Sequence, residues 1–183
     1  MKRSLLSGMV PLLLLYNVHI YAQDKFSKEK ISLGASAEAA VPTGKFSDIS
    51  HFGIGANIEG KYAFSEKINF ISSAGFLNFF GRSVDYTSYD NNGGLVDGKI
   101  KAPDSRAIVL RFGASWFLTN MIFVKGTVGP AFLNNDAGTA FAYSPALGLQ
   151  FDKLDVEVRY EGWAKSETLS FVGVKAAYYF RKF

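Results

Sequence analysis

Apolar and polar residues alternate with period two along most of the chain, which is the spacing of strands rather than helices. The pattern predicts eight strands. In the first, residues 31–41, Ile31, Leu33, Ala35, Ala37, Ala39 and Val41 share one face, with Ser32, Gly34, Ser36 and Glu38 on the other. The second, 53–64, sets Ile54, Ala56, Ile58, Tyr62 and Phe64 against Asn57, Glu59 and Lys61. The third, 68–81, is mixed, because Ser72 and Ser73 fall on both faces, and its register stays open. The fourth, 106–118, sets Ile108, Leu110, Phe112, Ala114 and Trp116 against Arg111, Gly113 and Ser115, and the fifth, 122–132, sets Ile122, Val124 and Val128 against Lys125 and Thr127. The sixth, 140–151, carries Phe141, Tyr143, Pro145, Leu147, Leu149 and Phe151 opposite Ser144, Gly148 and Gln150. Pro145 lacks a ladder donor, so a bulge or break is expected there. The seventh, 154–164, places Leu154, Val156, Val158 and Tyr160 against Asp155, Glu157, Arg159 and Glu161. The eighth, 170–180, places Val172, Val174, Ala176, Tyr178 and Phe180 against Gly173, Lys175 and Tyr179.

The connections carry an independent pattern. Residues 65–67, 119–120 and 152–153 are tight turns, whereas 42–52, 82–105, 133–139 and 165–169 are mostly longer, and the two kinds alternate. Membrane barrels show this asymmetry, with short periplasmic turns and longer extracellular loops. The longest uncharged run of the mature chain, 137–151, contains Pro145 and is too short for a spanning helix. A chain that enters a bilayer without such a helix must do so as a closed sheet, since hydrocarbon offers backbone N–H and C=O groups no partner. The expected fold class is therefore all-β, an eight-stranded antiparallel up-and-down transmembrane β-barrel. The alternative is a secreted soluble barrel with the faces inverted, charges outward and an apolar cavity within. Large aromatics favour the membrane form, because they gather at strand ends: Tyr62, Phe64, Trp116, Phe151, Tyr178 and Phe180 on the turn side, Phe52, Phe132 and Phe141 on the loop side.

The N-terminus adds the direction of export. Met1, Lys2 and Arg3, the apolar stretch 5–15 and Ile20-Tyr21-Ala22 read as a signal peptide over residues 1–22, leaving a barrel domain over 23–183. The chain has no cysteine, which excludes disulfides, thiolate metal sites and a lipidated N-terminal cysteine. Its formal net charge of +4 includes Lys2 and Arg3 and is too small to argue for nucleic acid.

The opening ISLGASAEAAVPTGKF, the GIGANIEGKYAF strand before Ser65-Glu66-Lys67 and the closing FVGVKAAYYFRKF resemble the small OmpA-like and OmpX-like outer-membrane β-barrel family. The resemblance is greatest to the outer membrane protein beta-barrel domains of Bacteroidetes-type bacteria, and it spans the mature chain. It implies an integral outer-membrane protein in contact with outer-membrane lipid and lipopolysaccharide. It also implies handling by the barrel-insertion machinery, which reads a terminal aromatic residue, here Tyr178, Phe180 or Phe183.

The polar faces hold Glu38, Glu59, Asp155, Glu157 and Glu161 with Lys61, Arg111, Lys125, Arg159 and Lys175. An eight-stranded barrel has an interior only wide enough for side chains, so these groups are expected to pair and fill it. Function would then rest with the loops, in a structural or adhesive role carried mainly by residues 82–105. A narrow channel or small-solute conduit is the alternative. In that loop Asp90-Asn91-Asn92-Gly93-Gly94 reads as a hairpin tip, and it lacks the ligand spacing of a calcium loop. Tyr86, Tyr89 and Leu95 beside it are candidates for an extracellular protein or surface ligand. Among the basic residues near the loops, Lys45, Arg82, Lys99, Lys101, Arg106 and Lys165, we take Arg82, Lys99, Lys101 and Arg106 as candidate contacts for lipopolysaccharide phosphates. An enzyme would need His51, the one histidine left after signal removal, with Asp104-Ser105, an order similar to that of the outer-membrane palmitoyltransferase barrels. Those barrels begin with an amphipathic helix, whereas residues 23–30 are short and polar, so lipid A acyl transfer or hydrolysis is the third reading. The expectation is a protein without catalytic residues, metal or cofactor.

Overall fold

The computed structural model describes residues 30–89, 95–134 and 138–182. Among them lie ten strands and one helical turn: β1 (Ile31–Thr43), α1 (Phe46–Ile49), β2 (Ser50–Ala63), β3 (Ile68–Gly81), β4 (Ser83–Tyr89), β5 (Leu95–Lys101), β6 (Ser105–Phe117), β7 (Ile122–Leu133), β8 (Gly138–Phe151), β9 (Leu154–Ala164) and β10 (Leu169–Lys182). Eight of the strands, all but β4 and β5, close into an antiparallel barrel in which each pairs with its neighbours along the chain. Closure is made by β1 and β10, paired from Ser32↔Lys182 to Thr43↔Ser170, so no edge of this sheet is left open. The barrel strands run from 11 to 14 residues, as long as or longer than a tilted membrane strand requires.

The faces assign the solvent. The apolar row of every barrel strand points outward: Ile58 is 69% exposed, Phe112 55%, Leu147 56% and Val174 51%. The charges of the opposite rows are buried. A surface of this kind is stable in hydrocarbon and not in water, so the inverted soluble barrel is excluded and the fold is a transmembrane β-barrel. The aromatics expected at the strand ends are all on this outer surface. Phe64 and Phe70 meet there edge to face, with centroids 5.4 Å apart, beside the turn after β2.

Two details depart from or complete the sequence reading. The register of β3 is resolved: Phe70, Phe76 and Phe80 face lipid, while Asn69, Ile71, Ser73, Leu77 and Phe79 face the lumen. Pro145 makes no bulge, and the expected break is confined to one of its two ladders. It pairs with Gly126 in an uninterrupted β7–β8 ladder, and the β8–β9 ladder skips Ser144 and Pro145 but resumes in the same register at Ala146↔Arg159. The missing donor is absorbed as a short gap in one ladder. Pro130 sits in the corresponding gap of the β6–β7 ladder.

Turns at 64–67, 118–121 and 152–153 lie at one end, together with the described ends of the chain. At the other end lie α1, the β4–β5 ribbon and the β7–β8 and β9–β10 connections. The ribbon is a continuation of the β3–β6 hairpin, since Phe79↔Ser105 and Ser83↔Lys101 belong to one register. The hairpin pinches at its root, where a Cβ on Gly81 would collide with the Ala102 carbonyl. Only glycine allows that approach.

Candidate functional site

The lumen is built in tiers, and β9 is its spine. Alternation turns Asp155, Glu157, Arg159, Glu161 and Trp163 inward in order from the turn side to the loop side, with Arg159 and Glu161 sharing one tier. At the lowest level Lys61 donates to Asp155 at 2.6 Å, and its ammonium lies 4.1 Å above the Tyr179 ring. Next comes a tier of two lysines and two glutamates: Lys125 pairs with Glu157, and Lys175 pairs with Glu59 and also with Glu157 at 3.3 Å. Above it is a tier of two arginines and two glutamates. Arg111 grips Glu161 with Nε at 2.9 Å and Nη2 at 3.0 Å, and Arg159 Nη2 stands 2.5 Å from Glu38 and 3.3 Å from Glu161. The Arg159–Glu38 contact is an ion pair without hydrogen-bond alignment. Each tier is electrically neutral in itself, the condition under which buried charges are tolerated.

Neutral side chains join the two larger tiers. Arg111 Nη1 donates to Asn57 Oδ1 at 3.0 Å, Asn57 Nδ2 to Ser36 Oγ at 3.1 Å, and Ser36 Oγ to Glu59 Oε1 at 2.8 Å. The top of the lumen is apolar. Phe46, Phe79, Trp163 and Phe171, all fully buried, form an aromatic box with ring centroids 4.8 Å apart for Phe46–Phe79, 5.8 Å for Phe79–Trp163 and 5.3 Å for Trp163–Phe171. Leu77, Val109 and five alanines complete this core. Trp163 ties it to the charges below, donating from Nε1 to Glu161 Oε1 at 2.6 Å. What the arrangement does chemically is obstruct: side chains occupy the lumen from Lys61 to Phe46, and Glu38, Glu157 and Arg159 are held there by ion pairing rather than by aligned hydrogen bonds.

No protein-family model and no curated protein matches this chain. Solved structures of small membrane barrels do. The outer-membrane protein Ail of Yersinia pestis, crystallised with the heparin analogue sucrose octasulfate, is 17% identical with a TM-score of 0.48, covering 85% of this chain and 97% of that one. Ail in a phospholipid bilayer nanodisc is 14% identical with a TM-score of 0.47 over 80% and 99%. A de novo designed transmembrane β-barrel is 13% identical with a TM-score of 0.48 over 84% and 98%. At this distance no residue corresponds to another in role, and the site of this chain stands on its own geometry.

All ten charged residues singled out on the polar faces lie in the lumen. The sequence reading missed the aromatic box and the bridging pair Ser36 and Asn57. Parity alone could have found Trp163, Phe171 and Val109, since each shares a face with residues already assigned inward. Phe46 could not be found that way, because it comes from α1 rather than a strand. The terminal candidates Tyr178 and Phe180 face lipid, and Phe183 lies outside the described residues, as does the signal segment 1–22.

At the loop end, Tyr86 pairs with Gly98 and Tyr89 with Leu95 along the ribbon backbone, and the tip 90–94 lies outside the described residues. Lys99 is 3.6 Å from Asp85 and Lys101 is 3.9 Å from Asp104, both lysines well exposed. Arg82 and Arg106 are engaged by the protein, Arg82 Nη1 donating to Ser47 O at 2.8 Å and Arg106 Nε to Asn78 Oδ1 at 3.0 Å. His51 is exposed at a register shift in the β2–β3 ladder. Asp104, its possible partner, accepts from the Gly81 N–H at 3.0 Å on its carboxylate and from Asn134 Nδ2 at 3.2 Å on its carbonyl, both contacts that brace the ribbon root.

Proposed function

We propose that this chain is an integral outer-membrane protein with a closed lumen, and that its role is structural or adhesive, exercised through the β4–β5 ribbon and the loops around it. The observation that carries the reading is the combination of a lumen filled by ion-paired and aromatic side chains with a two-stranded ribbon whose outer edges have no strand partner among the described residues. The ribbon continues the β3–β6 hairpin in one register and carries Tyr86, Tyr89 and Leu95 in its sequence, so an extracellular protein or surface ligand is its natural partner. Lys99, Lys101 and Arg106 ring its base, where charge-assisted hydrogen bonds to lipopolysaccharide phosphates would hold the barrel in the leaflet, with Arg82 contributing the guanidinium nitrogens not given to Ser47. Tyr178, Phe180 and Phe183 serve the insertion machinery during biogenesis. No catalytic residue is assigned.

The test is replacement of residues 84–100 by a two-residue turn. The barrel should remain heat-modifiable on a denaturing gel, while retention of expressing cells on coated surfaces and their autoaggregation fall to the level of cells lacking the protein. Retention that survives without the ribbon would sink the adhesive reading. Planar-bilayer recording bears on the lumen: discrete conductance steps from the parent protein would replace a closed barrel with a conduit. An altered lipid A acylation profile in His51→Ala would revive the enzyme.

A further inference from the structure

The aromatic box contains one ring that the barrel wall does not supply. Phe79, Trp163 and Phe171 belong to β3, β9 and β10, whereas Phe46 hangs from α1, a single helical turn in the β1–β2 connection, and is nonetheless fully buried. The chain enters α1 through Gly44 at φ +57, a left-handed position where a glycine swivels freely, and a Cβ there would meet nothing within 4 Å. It leaves through Ser50, whose side chain is buried and whose Oγ has no hydrogen-bond partner. So short a helix does not hold itself; four residues are far below the length at which helices persist.

What holds α1 is a residue of the ribbon root. Arg82 donates its backbone N–H to Ile49 O at 2.9 Å and its guanidinium Nη1 to Ser47 O at 2.8 Å, so one residue satisfies two carbonyls at the end of α1. The carbonyl of the same residue accepts from the Ala102 N–H at 2.8 Å, on the other leg of the ribbon. The Lys45–Glu167 pair also touches this connection, but its side chains are 75% and 66% exposed, and solvent leaves such a pair little holding power.

We propose that α1 with Phe46 is a removable stopper in the loop-side mouth of the lumen, and that Arg82 is the latch through which displacement of the ribbon root unseats it. The device requires only that the ribbon move, so it stands whether or not the ribbon is an adhesin.

The chain has no cysteine, so Ser50→Cys places a single buried thiol at the joint between α1 and β2. In the full chain, refolded into phosphatidylcholine nanodiscs, the rate at which dithiodipyridine labels that thiol reports local opening of the mouth. Adding Arg82→Ala should raise the rate about fivefold, the factor that a single hydrogen bond typically contributes. Phe46→Ala should raise it by more than about a hundredfold, because the stopper loses its seat. Lys45→Ala should leave it at the parental value. A second reporter, Ser144→Cys, buried on β8 in mid-lumen, should keep its own rate in the Arg82→Ala background. If Arg82→Ala labels like the parent while Phe46→Ala accelerates, the latch is wrong. If neither accelerates, the stopper is wrong. If Ser144→Cys accelerates together with Ser50→Cys, the whole barrel has loosened, and a local latch is again refuted.

Discussion

The two halves of the lumen use opposite chemistries for one task. On the loop side, four aromatic rings and aliphatic residues fill the bore, with the indole N–H that reaches down to Glu161 and the buried Ser50 Oγ among them. On the turn side the same bore is filled mainly by ionised side chains in neutral groups, with Ile71 and the buried Phe117–Phe123 pair beside them. In a lumen cut off from water, apolar packing gains dispersion contacts at no electrostatic cost, whereas each ion must recover a large desolvation penalty from its partners. The charged half is therefore the more fragile to single deletions and the less fragile to paired replacement. The arginine tier, where the halves meet, should be the most sensitive of all. Glu161 there accepts from Arg111 and Trp163 and also faces Arg159, so three donors depend on one carboxylate.

The contrast is open to attack in order of expected effect. Glu161→Ala takes from Arg111 its close carboxylate and leaves two buried guanidinium groups to share Glu38, and should lower the unfolding free energy by about 3–5 kcal/mol, read from the urea midpoint of the heat-modifiable band. Phe79→Ala empties the centre of the aromatic box and should cost about 3 kcal/mol in the same assay, as a cavity does in any close-packed core. A Phe79→Ala variant as stable as the parent would mean that the loop-side half is a loose cap and not a core. Arg111→Lys keeps the charge but loses the fork that binds Glu161 twice and Asn57 once, for an expected loss of about 2 kcal/mol. The paired replacement Lys61→Met with Asp155→Leu removes the lowest ion pair whole and should change stability by less than about 1 kcal/mol. A large loss from that double change would show that the turn-side charges are stabilising in their own right, and the proposed contrast between the halves would fail.

Much of this was legible beforehand, and unevenly. Strands with one clean apolar row, such as β9 and β10, declared both faces at once, because period two leaves a residue no third direction. β3 did not, since its lumen-facing row is itself part apolar: Leu77 and Phe79 belong to the aromatic half and Asn69 and Ser73 to the polar half. A strand that crosses both halves has no single inward chemistry to detect. Pro145 was legible in part. Its missing donor does interrupt a ladder, but only the one to β9 and only over two residues, because both flanks keep their register.

The order of hydrophobic and polar positions by itself determined the number of barrel strands, the face of nearly every residue in them and the alternation of turns with loops, because each follows from local geometry that repeats every two residues. Only the tertiary structure decided which charge meets which. Arg111 and Glu161 are 50 residues apart, Lys61 and Asp155 94, and Lys175 and Glu59 116, and it is closure of the barrel that turns these rows toward one axis and sets their heights. It also decided the fate of Phe46, which obeys no strand period. Its burial depends on three rings brought from distant strands to a common point, and no pattern along the chain can announce a cavity before the wall that encloses it has closed.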